Sequence, residues 1–198
     1  MSIDQKRQFE GVSFLIAYIA CIPTANWLIQ HVGTVCPPAE PCLIPVAPGG
    51  LMAPSGVLMV GLALVLRDLV QRRLGVAYGL GAIAIGTVIS AALAPPSLVF
   101  ASSVAFLFSE IVDFAVYTPL QRRGLVMAVL ASSLIGLLVD SVLFLWLAFG
   151  SLNFLAGQII GKALMVLATL PAIHWLRRRD ARLQLAGEAR VASVQSDV

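Results

Sequence analysis

The sequence predicts an all-α membrane protein of six transmembrane helices with both termini in the cytoplasm, and three observations predict it. The 198 residues are 59% hydrophobic and only 12% charged, about half the charge of an ordinary soluble domain, with a mean hydropathy of +0.93. Six stretches are apolar over the roughly 20 residues that a bilayer span needs. The cations gather in short clusters at alternate ends of those stretches. A net charge of +3 therefore reads as membrane orientation, not as a nucleic-acid surface.

The first stretch runs from about Phe9 to Gln30, the second from Leu51 to Val70 and the third from Val76 to Leu93. The fourth runs from Ser97 to Leu120, the fifth from Leu125 to Phe149 and the sixth from Asn153 to Leu176. Strands are not expected, because a membrane barrel would show alternating segments of about 10 residues, whereas helices satisfy their own backbone inside lipid. Pro37, Pro38, Pro41, Pro45 and Pro48 with Gly49 and Gly50 make the first loop the longest, Pro95-Pro96 breaks spans three and four, and Gly124 and Gly150 mark later turns. Residues 1–178 read as one membrane domain and the polar residues 179–198 as a disordered cytoplasmic tail. Met1–Glu10 is short and mixed in charge, unlike a cleavable signal peptide.

Lys6 and Arg7 precede span one, Arg72 and Arg73 follow span two, Arg122 and Arg123 follow span four, and Arg177, Arg178, Arg179 and Arg182 follow span six. The alternate loops, 31–50, 94–96 and 150–152, hold no Lys or Arg. With cations kept inside, both termini are cytoplasmic and the span count is even. Cys36 and Cys42 then fall in the long outer loop, where an oxidising compartment permits a disulfide between them and the intervening prolines leave its geometry open. Cys21 reads as a small apolar packer, and the pairs Gly75/Gly79 and Gly157/Gly161 as close-packing points of the bundle.

Arg67, Lys162, Asp68, Glu110, Asp113 and Asp140 lie within spans. Each would cost at least about 2.5 kcal/mol at the bilayer centre, so they must face inward, pair, or line a wet cavity. At 1.5 Å per residue they fall into two layers: an outer one of Asn26, Asp140, Gln158 and Lys162, and an inner one of Arg67, Asp68, Glu110 and Asp113. Ser103, Phe106, Glu110, Asp113 and Tyr117 share one stripe of span four, Gln158 and Lys162 one face of span six, and Ser133, Gly136 and Asp140 one face of span five. Such faces suit a flat, hydrogen-bonding ligand. The structural reading is that Arg67 with Glu110, and Lys162 with Asp140, are interhelical staples. Four acids against two bases leave carboxylates over, to be protonated or matched by a cationic ligand. Asp68, four residues before Arg72, reads as a side chain snorkelling to the cytoplasmic edge. Trp27, Trp146 and Trp175 near span ends read as interface anchors.

No phosphate-binding glycine loop, H-E-x-x-H or G-x-S-x-G motif is present, and His31 and His174 lie at opposite faces. No enzyme activity, metal site or cofactor is expected. The partners expected are a small-molecule substrate and the lipid bilayer, without nucleic acid. Oligomeric state is open, a homo-oligomer included.

The run Arg67-Asp68-Leu69-Val70-Gln71-Arg72-Arg73-Leu74-Gly75 resembles the queuosine-precursor transporter family, also called the vitamin uptake transporter family. So does Ala101–Asp113 continuing through Val116-Tyr117, and Asn26, Asp140 and Lys162 fall where that family carries polar residues. The resemblance covers roughly residues 10–178. It implies a six-span bacterial inner-membrane importer of 7-deazaguanines such as preQ0 and preQ1, similar in architecture to the substrate-binding subunits of energy-coupling-factor importers but working without the ATPase module. The chain departs from the resemblance just before span two, where Pro48–Pro54 stands in place of aromatic residues with prolines. A carboxylate of Glu110 or Asp113 would accept from the ring N–H groups, Lys162, Gln158 or Asn26 would donate to its carbonyl, and Phe106 or Tyr117 would stack on it. Arg67 and Asp140 complete the expected substrate-binding set. The competing readings are a binding subunit of an ATP-driven vitamin or nucleobase importer and a non-transporting membrane scaffold.

Overall fold

The computed structural model describes residues 3–38, 41–94, 96 and 98–196, with the backbone path alone for residues 3, 4 and 183–196. Pro95 and Ser97, expected at the break before span four, and the last two residues of the expected tail lie outside the described residues. The elements in chain order are α1 (Ile3–His31), β1 (Leu43–Ala47), β2 (Leu51–Pro54), α2 (Val57–Leu74), α3 (Val76–Leu93), α4 (Val99–Leu120), α5 (Leu125–Phe149) and α6 (Leu155–Ser196).

Five of these helices, α1 and α3 to α6, are long and apolar enough to cross a membrane among the described residues. Large apolar side chains such as Ile16, Val88, Phe100, Met127, Leu134 and Leu167 stand exposed on their outer faces, where lipid would cover them. The remaining helix, α2, has 18 residues but carries Arg67, Asp68, Arg72 and Arg73. It lies in the middle of the bundle, against α1, α3, α5 and α6, and an unbroken run from Ala63 to Gln71 is buried. A helix wrapped by protein need not be apolar enough for lipid, so its charges are held by neighbours and not by hydropathy.

The bundle is all-α, and the start of span two needs correction. It does not begin at Leu51: Leu51–Pro54 is the second strand of a small antiparallel hairpin that pairs Ala47 with Leu51, Pro45 with Met52 and Leu43 with Pro54. The cause is local. Gly49 (φ 94°) and Gly50 (φ 80°) occupy the left-handed region that favours glycine and reverse the chain there. Past residue 179 the helix α6 continues to Ser196, and Asp180 is buried.

The hairpin is moored to the bundle. The Cys42 N–H donates to the Ile29 carbonyl at 2.8 Å, and the Ser55 hydroxyl to the Leu28 carbonyl at 2.8 Å. Cys36 and Cys42 are joined by a disulfide. On the other side α6 meets the hairpin at Gly157, where any Cβ would overlap the Met52 carbonyl. Gly157 and Gly161 thus serve helix-on-hairpin and helix-on-helix packing, the latter against Val57. A contact missing from the sequence reading is Gly61 of α2, which lies directly on the backbone of Lys162.

At the opposite end, Glu10 of α1, Arg73 of α2 and Arg179 and Asp180 of α6 form one clamp. Arg73 reaches Glu10 at 3.0 Å and Asp180 at 2.9 Å, and Arg179 reaches Glu10 at 2.6 Å.

A Cβ on Gly61 would sit 2.6 Å from the Lys162 carbonyl oxygen, which is backbone and cannot swing aside. Gly61→Val should therefore separate α2 from α6 and cost about 1–3 kcal/mol, seen as a lower melting temperature in detergent. Gly81→Ala, at a position with open space around it, should leave it unchanged.

Candidate functional site

The inner polar layer is built round one guanidinium. Arg67 is fully buried, and each edge of its fork meets an acceptor: Nε lies 3.0 Å from Glu110 Oε2, Nη1 2.9 Å from Asp68 Oδ1 and Nη2 2.9 Å from Asp113 Oδ2. The Asp113 contact is an ion pair by distance and charge rather than an aligned hydrogen bond. Nη1 also donates to Gln71 Oε1 at 3.2 Å, and Gln71 Nε2 donates to Thr118 Oγ1 at 3.0 Å. The rings of Phe114 and Tyr117 lie 5.6 and 6.0 Å from the guanidinium carbon, in reach of cation–π attraction. Asp68 does not snorkel to the edge. It is fully buried, and Ser132 of α5 donates to its Oδ2 at 2.9 Å. Helix spacing explains the assembly, since Glu110, Asp113 and Tyr117 lie on one stripe of α4 and Gly136 lets α5 approach Asp113 closely.

The outer polar layer faces a cavity. It is partly open to the surroundings, and every helix contributes to its wall. Phe106 and Phe144 supply rings, Ile22, Val57 and Met59 supply apolar surface, and Asn26, Ser90, Ser102, Asp140, Gln158 and Lys162 supply polar groups. Lys162 is 1% exposed, and its ammonium is paired with Asp140 and donates to Ser141 Oγ at 2.8 Å and Gln158 Oε1 at 2.7 Å. Ser109 of α4 donates to Asp140 Oδ1 over a long 3.4 Å, which joins the cavity wall to the residue next to Glu110.

Five of the expected substrate residues, Asn26, Phe106, Asp140, Gln158 and Lys162, thus share one cavity. Arg67, Glu110, Asp113 and Tyr117 do not line it and form the closed layer beneath. Both expected cross-helix pairs, Arg67 with Glu110 and Lys162 with Asp140, are present. The sequence reading missed Gln71, Ser109, Ser132 and Ser141, which complete the two networks. Gln71 was within reach, because it stands one turn from Arg67 as Gln158 stands one turn from Lys162. The serines carry no comparable signal. Among the described residues no group of acids, cysteines and histidines is arranged to hold a metal ion.

Apolar helices round a sealed charge cluster, with a small-molecule cavity beside it, define a multi-pass membrane protein. Residues 87–176, a little under half of the chain, match the family described as "Putative vitamin uptake transporter". The matched stretch includes Phe106, Glu110, Asp113, Tyr117, Asp140, Gln158 and Lys162, whereas Asn26 and Arg67 precede it. No curated protein and no solved structure matches the chain. The family points to uptake of a small molecule rather than to catalysis.

Because Arg67 is enclosed, removing it strands three carboxylates out of water. Arg67→Gln should lose about 3–5 kcal/mol and show as a collapse in folded, monodisperse protein after detergent extraction. A residue serving only as a ligand contact would leave that yield untouched.

Proposed function

We propose that this chain is a bacterial inner-membrane importer of queuosine precursors, 7-deazaguanines such as preQ0 and preQ1, with six spans and both termini in the cytoplasm. The observation that carries the reading is the cavity itself, with Pro54 of the hairpin and the Lys162–Asp140 pair in its wall, at the pole away from the arginine clusters. With those clusters on the cytoplasmic side, the cavity lies in the outer half of the bundle, where an incoming molecule would meet it. Its two phenyl rings suit a flat heterocycle, and its amides and hydroxyls suit a ring edge that mixes N–H groups with a carbonyl. The family match and the motifs at Arg67–Gly75 and Ala101–Tyr117 support the same class of cargo. α2 is the sixth span in this reading, shielded from lipid by the other helices.

Charge balance supports proton coupling. Three carboxylates surround Arg67, so ionising all of them would leave two uncompensated negative charges out of water. Ser109, the chain neighbour of Glu110, donates to Asp140 in the cavity wall.

In a bacterial host that can neither make nor import preQ0, expression of this chain should restore queuosine in tRNA at low external preQ0. Phe106→Ala, which removes a ring from the cavity wall, should lower uptake roughly tenfold at equal protein in the membrane. No restoration, with the protein present in the membrane, rejects the substrate. A protonophore should abolish accumulation, and unchanged uptake in its presence would reject the coupling while sparing the importer.

A further inference from the structure

We infer that the cavity admits a cyclic amide and rejects carboxylates, with Gln158 donating to the ligand carbonyl and Lys162 holding the Gln158 amide in the orientation that allows it. The inference rests on the cavity being the transport site.

Lys162 is the cation of the cavity wall, and the obvious assignment makes it the donor to a ligand oxygen. The geometry argues otherwise. An ammonium has three protons and no acceptor, and all three are committed, to Asp140, Ser141 and Gln158. A ligand carbonyl could reach Nζ only by displacing one of them. The positive charge is likewise matched by Asp140, so a carboxylate entering the cavity would find no free cation in its wall among the described residues and would face Asp140.

The same contacts fix two side-chain amides. Only an acceptor can face an ammonium, so Gln158 must turn Oε1 to Lys162 and its NH₂ the other way. Among the described residues no acceptor meets that Nε2, and Gln158 lines the cavity. Asn26 is fixed in the opposite sense. One N–H of its Nδ2 donates to the Ile22 carbonyl at 3.0 Å, which can only accept, so Oδ1 is turned from that carbonyl and left as an acceptor beside the second N–H. The wall therefore offers one oriented donor at Gln158, one oriented acceptor at Asn26, and the adaptable hydroxyls of Ser90 and Ser102. A neutral ring with a carbonyl and an N–H on its edge satisfies that set, and a carboxylate, which only accepts, does not. Lys162 is a positioning residue in this scheme.

The test is calorimetric binding by the purified full chain, with four probes: preQ0, its analogue lacking the ring carbonyl, nicotinamide and nicotinate. The wild type should bind preQ0 roughly five- to tenfold more tightly than the carbonyl-free analogue, and nicotinamide more tightly than nicotinate. Gln158→Met should erase both ratios. Gln158→Glu keeps a partner for Lys162, and so the fold, while replacing the donor by an acceptor, and should erase them too. Lys162→Met, which frees the amide to turn over, should shrink the preQ0 ratio in whatever fraction folds, an effect a merely structural lysine would not have. Ratios that survive in both Gln158 variants, or a wild type that prefers nicotinate, overturn the inference and leave the importer standing. If preQ0 fails to bind but the nicotinamide preference is present and Gln158-dependent, the inference stands and the deazaguanine reading falls. A wild type that binds no uncharged probe overturns both.

Discussion

An arginine in a water-free helical bundle must have every edge of its fork answered by protein, and this constraint organises the molecule. Arg67 draws acids from α2 and α4, and Ser132 of α5 in turn steadies Asp68, so three helices are fixed in rotation and depth by one side chain. The close approach that this requires is provided by glycine, Gly136 against Asp113 and Gly61 against the Lys162 backbone. Partners are needed because an unpaired buried charge is far more costly than a paired one. The guanidinium therefore specifies a unique arrangement more than it adds net stability.

Above this closed layer the chemistry changes character. The second buried cation, Lys162, stands in the wall of a cavity to which all six helices contribute, and the β1–β2 hairpin borders it through Pro54. The two layers are physically distinct, one closed round Arg67 by ion pairs and one bordering a cavity, and Ser109, next to Glu110 in the chain, bonds to Asp140 of the outer one. In a chain whose residues 87–176 match a vitamin uptake family, that contrast separates the part that holds the bundle from the part that can meet a cargo.

Much of this was legible in the sequence, for stated reasons. Hydropathy and punctuation located α3 and α5 to the residue, because Gly75, Gly124 and Gly150 stand at their ends. The rise per residue of a helix sorted the intramembrane charges into two depths, and both cation–carboxylate pairs follow from that sorting. The hairpin was not legible, because Leu51–Pro54 is as apolar as the helix after it, and the turn depends on backbone angles at Gly49 and Gly50 that composition does not report. Nor could the sequence say which layer opens. A void is what the side chains of six helices leave unfilled, and no single stripe records it. The stripe through Phe106, Glu110 and Tyr117 enters the cavity only at its Phe106 end.

The clamp of Glu10, Arg73, Arg179 and Asp180 gives the bundle a lever geometry. It binds α1, α2 and α6 at one pole, whereas Asn26 and Ile29 stand some 25 Å further along α1 at 1.5 Å per residue. With the fulcrum there, a tilt of about 10° leaves the clamped pole nearly still and sweeps the far end of α1 through roughly 4 Å over that length. The hairpin is tied to that far end at Leu28 and Ile29 and to α6 at Gly157, so such a tilt would strain it between the two helices. Small angular changes are thus amplified at the mouth of the cavity and suppressed at the arginine-rich end.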